Sequence, residues 1–286
     1  MTRFGIATPP QNVDHADLVR VWTEADGIAE IDDAWLFDHL MPIGGDLDGP
    51  ILEGWTLLSA MAARTTRLRL GLLVTSNRIR PPALLAKIAT TVDVVSDGRL
   101  DFGIGVGSRP SVPWARREYD AFGLPYVETR EAITALREAL PLIRRIWTEE
   151  EPFDVDGEVL RVTGAFQNPK PVQPQGPPIM IGGRSSAVLR IAADHADLWN
   201  IPGGDIADAT ARSRLLDRYC ADIGRDPAEI IRSIHLGVSV ERPADTRAAI
   251  EEAVGAGFAH VVLGLRAPYD DGVASWVAEE LIRPFR

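Results

Sequence analysis

The chain has a single cysteine, Cys220, among 286 residues. That excludes an intrachain disulfide and suits a reducing compartment. Cys220 falls within a predicted helix, where a buried, inert thiol is the ordinary role. No apolar run approaches the roughly 18 residues that a membrane-spanning helix needs. The N-terminal residues also lack the apolar core of a signal peptide, so a cytoplasmic protein is expected. Basic residues are in deficit: 30 Lys and Arg stand against 41 Asp and Glu, a formal net charge of −11. Such a balance argues against nucleic-acid or anionic-membrane partners. Several chemistries lack their motif. No two of the five histidines have metal-ligand spacing, so no metal is expected. There is no serine-nucleophile elbow and no P-loop. Gly103-Ile-Gly-Val-Gly107 departs from a dinucleotide fingerprint, because Pro110 and Pro113 follow at once and no acidic residue lies at the required distance.

What is present is a repeat. Leu68–Gly107 reads as strand, polar loop, helix, strand and glycine-rich turn. Leu68–Val74 is almost continuously apolar, as a parallel strand buried on both faces must be. Pro81-Pro82 opens a helix whose apolar residues Leu84, Leu85, Ile88, Val92 and Val95 recur at helical spacing. Further strands are expected at Phe4–Ala7, Ala34–Phe37, Leu100–Ile104, Pro178–Ile181, Leu198–Ile201, Ile231–Val240 and Val261–Leu265. The helices between them are expected near Asp14–Glu30, with Asp14 as N-cap, then Ile51–Arg64, Thr129–Trp147, Ser185–Ala193, Ile206–Ile223, Asp245–Ala256 and Gly272–Ile282. Eight strands, each followed by a helix, with 45% apolar residues to build a core, point to an α/β protein with a (β/α)8 TIM barrel. An open doubly wound sheet is the alternative. Ser108–Glu128, with three prolines, reads as a long rim loop, and Thr148–Pro177 as an excursion holding a small hairpin about Asp156-Gly157. No linker divides residues 1–286, so one domain is expected.

Barrel chemistry sits at the C-terminal ends of the strands. Read in order, those ends deliver Thr8 and Gln11, Asp38-His39, Thr75-Ser76-Asn77, Gly105-Val106-Gly107-Ser108, Gly182-Gly183-Arg184-Ser185-Ser186 and Asn200. Loops are polar anyway, but recurrence on one rim marks a site. His39 beside Asp38 is the sharpest pair, since an adjacent carboxylate can orient an imidazole. The other reading is a capping Asp38 with a bystander histidine. Gly183-Arg184-Ser185-Ser186 directly precedes an apolar helix, whose free N–H groups would bind an anion.

RFGIATPPQ at the start, AWLFDHLMPIGG after the second strand, Leu68–Gly107, and PPIMIGGRSSAVLRIAADHAD together resemble the bacterial luciferase-like monooxygenase superfamily. They are most similar to its branch of oxidoreductases dependent on the deazaflavin coenzyme F-420, common in actinobacteria. The resemblance spans nearly the whole chain and implies the same (β/α)8 fold. It implies that Asp38 and His39 lie beside the deazaflavin ring, with His39 transferring a proton. Thr75 would contact the ring, and a cis peptide would fall near Leu72-Leu73 or Leu73-Val74. Val106-Gly107 and Ser111 would contact the cofactor tail, and Ser185-Ser186 with Val188-Leu189 its phosphate. Relatives bind flavin mononucleotide (FMN) in the same cleft, so an FMN-dependent monooxygenase is the alternative, and a silent deazaflavin carrier a further one. Arg78, Arg80, Arg109, Arg116, Arg117 and Arg184 fall in rim segments and favour the longer anionic cofactor. Two departures bear on substrate. Ser108 stands where the family's sugar-phosphate dehydrogenases have a Glu proton donor, and Pro42-Ile43 where they have a Trp, so glucose-6-phosphate oxidation is not expected. The expected partner is another small organic substrate, the expected assembly a homodimer.

Overall fold

The near-continuous apolar runs become strands buried on both faces, as parallel pairing demands. A computed structural model describes residues 2–109 and 111–286. In chain order the strands are β1 (Arg3–Ala7), β2 (Asp33–Leu36), β3 (Arg69–Leu72), a two-residue β4 (Thr75–Ser76), β5 (Leu100–Gly105), β6 (Phe153–Asp156), β7 (Arg161–Ala165), β8 (Ile179–Gly182), β9 (Leu198–Pro202), β10 (Ile231–Gly237) and β11 (His260–Gly264). The helices are α1 (His15–Asp26), α2 (Gly54–Arg64), α3 (Pro82–Val95), α4 (Pro113–Phe122), α5 (Thr129–Thr148), α6 (Ser186–His195), α7 (Ile206–Asp222), α8 (Pro243–Gly255) and α9 (Val273–Val277). Strand order is β3-β2-β1-β11-β10-β9-β8-β5, all parallel, and β3 also pairs with β5. That last pairing closes the sheet into an eight-stranded barrel and removes the open-sheet alternative. β4 continues the third barrel strand beyond a cis bond between Leu73 and Val74 and pairs with β5. Among the described residues, no helix is long and apolar enough to cross a membrane.

Alternation along the strands divides the core in two. Phe4, Ile6, Ala34, Leu36, Leu70 and Leu72 face the helices. Ala7, Trp35, Met180, Leu198 and Val262 pack with Leu73 and Val74 in a second cluster, inside the barrel. Trp35 needs room there. A Cβ on Gly71 would come within 2.5 Å of its ring, so the neighbouring strand carries no side chain at that height. Beneath Trp35 the same inward positions become charged. Asp33 binds Arg3 at 2.5 Å and His260 at 3.1 Å, and Asp101 binds Arg69 at 3.0 Å and also Arg3. Buried charges must be paired, and these five strands pair them across the barrel floor.

The structure differs from the sequence reading in four places. Ser108–Glu128 is not all loop: Pro113 opens α4, and Gly123 at φ +62° ends it. A helix therefore does follow the glycines of β5, a few residues on. α1 stops at Asp26 instead of Glu30, and Asp14 occupies its N-cap without a side-chain bond. β10 ends at Gly237, short of Val240. The last helix passes at Ala278 into a π-helical turn over Ala278–Ile282. The hairpin expected about Asp156-Gly157 is present as β6 and β7.

Candidate active site

β2 is wholly buried and ends at the barrel mouth, where it releases Phe37, Asp38 and His39. α2 begins directly against this exit. A Cβ on Gly54 would come 2.9 Å from the Phe37 carbonyl, so only glycine lets the helix approach so closely. Glu53 caps α2 by accepting the N–H groups of Trp55 (3.3 Å) and Thr56 (2.6 Å). Its carboxylate also holds Arg80, which grips Asp38 with two bonds of 2.7 and 3.0 Å. Asp38 accepts the Thr75 hydroxyl, and Thr75 in turn accepts the indole N–H of Trp55 at 3.0 Å. Burial alone would lower Arg80. The bonds and charges of Asp38 and Glu53 outweigh it and raise the guanidinium above its usual range. Asp38 is thus a fully paired anchor, holding the third-strand loop to the second.

His39 has a different carboxylate. The two oxygens of Glu118, on α4, lie 3.3 and 3.4 Å from its Nδ1. Glu118 is 1% exposed and also accepts the backbone N–H groups of Leu40 and Met41. Phe37 and Trp114 meet the imidazole edge-on, each with ring centroids 5.1 Å away. A carboxylate at Nδ1 takes the proton there, which leaves the Nε2 lone pair free in the neutral ring. The expectation that Asp38 orients His39 is therefore corrected. Sequence reading missed Glu118, although Ala115, Glu118 and Tyr119 are the buried residues of α4 at helical spacing.

His39 and Asp38 line a cleft of about 600 Å³ at the C-terminal end of the barrel. Val74, Thr75, Val106 and Gly107 form part of its wall, with Gly183, Arg184, Ser185 and Val188 opposite. Gly105 and Gly182 give it a floor without side chains, and Ile133 of α5 adds an apolar edge. At the α6 end, Ser185 is the N-cap and accepts the Val188 N–H at 3.3 Å. The first-turn N–H groups of α6, with Arg109 on the same cleft, are donors that could hold an anion at this end. Leu73, Ser111, Ser186 and Leu189 lie outside the lining. Leu73 packs with the cluster inside the barrel, and Leu189 of α6 is wholly buried in the main core with Ile191 and Ala192. Ser111 and Ser186 are exposed.

Most of the rim arginines are already matched. Arg80 holds Asp38 and Glu53, Arg117 holds Asp48, Arg116 faces Asp120 and Arg184 holds Asp208. Arg78 donates to the Val106 carbonyl at 3.2 Å, and its Nη1 is buried without a partner beside the cleft. Two further polar strand ends are engaged away from the cleft. Thr8 accepts from Trp22 at 2.8 Å, and Asn200 donates to Ser233 at 2.8 Å. Among the described residues, no group of three or more His, Cys, Asp or Glu side chains could hold a metal ion.

Relatives agree with this architecture. The family model for luciferase-like monooxygenases matches residues 2–283. An uncharacterised protein of Mycobacterium tuberculosis is 31% identical over 228 residues, 79% of this chain and 72% of that protein. A coenzyme F420-dependent glucose-6-phosphate dehydrogenase of Kineococcus radiotolerans is 30% identical over 214 residues, 74% of this chain and 60% of that protein. Among solved structures, an F420-dependent secondary alcohol dehydrogenase in complex with an F420–acetone adduct superposes with a TM-score of 0.87 at 17% identity, covering 100% of this chain and 99% of that one. The chain belongs to the luciferase-like monooxygenase family.

Proposed function

We propose that this protein is an oxidoreductase that passes hydride between the deazaflavin coenzyme F-420 and a small organic substrate at the barrel mouth, with His39 moving the accompanying proton. The observation that carries the reading is the imidazole in the cleft wall, its Nδ1 held by buried Glu118 and its Nε2 left for chemistry. The names of the dehydrogenases that this chain resembles support the deazaflavin as cofactor.

The residues present suit such a group. A flat ring needs close backbone approach and an apolar face, which Gly105, Gly182, Val74 and Val106 offer. Its phosphate needs N–H donors, which the start of α6 supplies with Ser185 and Arg109 nearby. The bound deazaflavin would supply the two-electron chemistry. The protein's part is to orient and to handle protons. Neutral His39 is a base at Nε2 when an alcohol is oxidised. Protonated, it is an acid at the same atom when a carbonyl is reduced, with Glu118 holding the ring at Nδ1 in either case. Asp38, tied to Arg80 and Thr75, keeps the third-strand loop in place.

Titration with F-420 and with FMN tests the cofactor, and tighter binding of FMN overturns it. A panel of alcohols, aldehydes, quinones, enones and nitro compounds, followed by deazaflavin absorbance, then tests the activity. Firm binding without turnover on any of them would mark a carrier and not an enzyme.

A further inference from the structure

The cleft does not end at α6. A groove of about 460 Å³ continues from it over α5, sharing Thr129, Ile133 and Ala187 with the cleft wall. Arg130 and Arg137 line this extension, together with one carboxylate, Glu158 of the hairpin. The two arginines are seven residues apart, so they fall on one face of α5 at about 10 Å along its axis. Both are exposed. Among the described residues neither has a carboxylate at ion-pair distance, whereas Arg116, Arg117 and Arg184 each do. In a chain of net charge −11, two unmatched cations on one helix face, at the exit of an anion-binding cleft, form a local exception.

We infer that this groove binds an extended polycarboxylate chain leaving the phosphate end of the cleft. Given the cofactor reading above, on which this rests, that chain is the oligoglutamate tail of the deazaflavin. The tail repeats carboxylates along a flexible backbone, and two guanidinium groups two helical turns apart pair with two of them at once. The tail is tethered by the buried ring, so each pair forms at high effective concentration. Exposed ion pairs are individually weak and are screened by salt. The groove therefore tunes affinity and selects among tail lengths, while the ring and phosphate provide the main hold.

The test is fluorescence titration with three forms of the cofactor: one with the phosphate but no glutamate, one with a short tail and one with a long tail. Wild-type protein should bind the long-tailed form about fivefold more tightly than the tailless one at low salt, an advantage that shrinks at high salt. An Arg130→Gln/Arg137→Gln variant, altered only at exposed positions, should bind all three forms with the tailless affinity. Equal affinity of wild type for all forms overturns the groove, as does a tail advantage that survives in the double variant. If no form binds, the cofactor reading itself fails, an outcome distinct from binding that ignores the tail.

Discussion

Glu118 and His39 are brought together from positions 79 residues apart in sequence, with both carboxylate oxygens within 3.4 Å of Nδ1. The carboxylate is buried, and two backbone N–H groups of the residues following His39 fix it further. A glutamine whose oxygen stays with the Leu40 and Met41 N–H groups turns its amide nitrogen, which can only donate, toward Nδ1, so the ring must accept there. Glu118→Gln should lower kcat about 10²-fold, the lower end of what general acid–base catalysis contributes, with cofactor affinity little changed. ¹⁵N NMR of the imidazole should show loss of the single Nδ1–H tautomer. Unaltered tautomer signals would mean that Glu118 only braces the loop. Glu118→Ala should in addition cost about 1–3 kcal/mol in denaturant unfolding, because buried N–H groups lose their acceptor.

His39 itself should show the complementary pattern. His39→Ala removes the proton-transferring ring but none of the glycine floor or the anion end. The expected result is a fall in kcat of about 10²–10⁴-fold, with deazaflavin affinity within a few-fold of wild type. Steady-state kinetics beside a binding titration separates the two quantities. Lost binding with kcat intact at saturation would make His39 a binding residue. The proton donor would then be sought at Ser108, which lines the cleft, or at bound water, since Thr8 and Asn200 are engaged elsewhere.

The fold was legible because parallel strands buried on both faces leave continuous apolar runs, and all eight were visible. His39 and Ser185 were legible because strand ends and helix starts announce themselves through polarity and caps. Glu118 was not. Its segment holds Pro110, Pro113 and Pro125, and proline density reads as loop, although a single proline at a first helical position opens a helix. The pairing of Arg80 with Asp38 was equally hidden, because a contact spanning 42 positions leaves no local pattern. Sequence adjacency suggested instead that Asp38 served His39. Arg130 and Arg137 escaped notice for another reason: the periodicity of α5 reports its buried face, and they lie on the other one.

Because Asp38 is bound to Arg80 and Thr75, its replacement should disturb the cofactor wall more than the proton step. Asp38→Asn should weaken deazaflavin binding by about tenfold, on the scale of one charge-assisted hydrogen bond, while kcat at saturation falls less than in His39→Ala. Arg80→Ala should be the more damaging change to folding, since it leaves buried Asp38 without a counter-charge, at a cost of about 3–5 kcal/mol. Cofactor titration and urea unfolding of the two variants check both statements. A kcat loss in Asp38→Asn as large as that of His39→Ala would place Asp38 in the chemistry.

The barrel floor sets the response to acid. Asp33 is wholly buried between Arg3, His260 and the Trp35 indole. Burial alone would raise its carboxyl. The charges of His260 and Arg3 and the bonds from His260 and Trp35 outweigh burial and hold it well below the usual carboxylate range. A depressed folded value means that the unfolded chain takes up its proton first as pH falls. The stabilisation is therefore complete above the unfolded value of about 3.9 and is lost progressively below it. Asp33→Asn should cost about 3–5 kcal/mol at neutral pH, because Arg3 and His260 lose their buried partner. It should also flatten the acid limb of the stability curve. Urea unfolding midpoints measured from neutral pH down to about pH 3 give both quantities. A variant that is destabilised at neutral pH but keeps the wild-type acid limb would show that another floor carboxylate, Asp101, governs the response, and that Asp33 contributes through packing and hydrogen bonds alone.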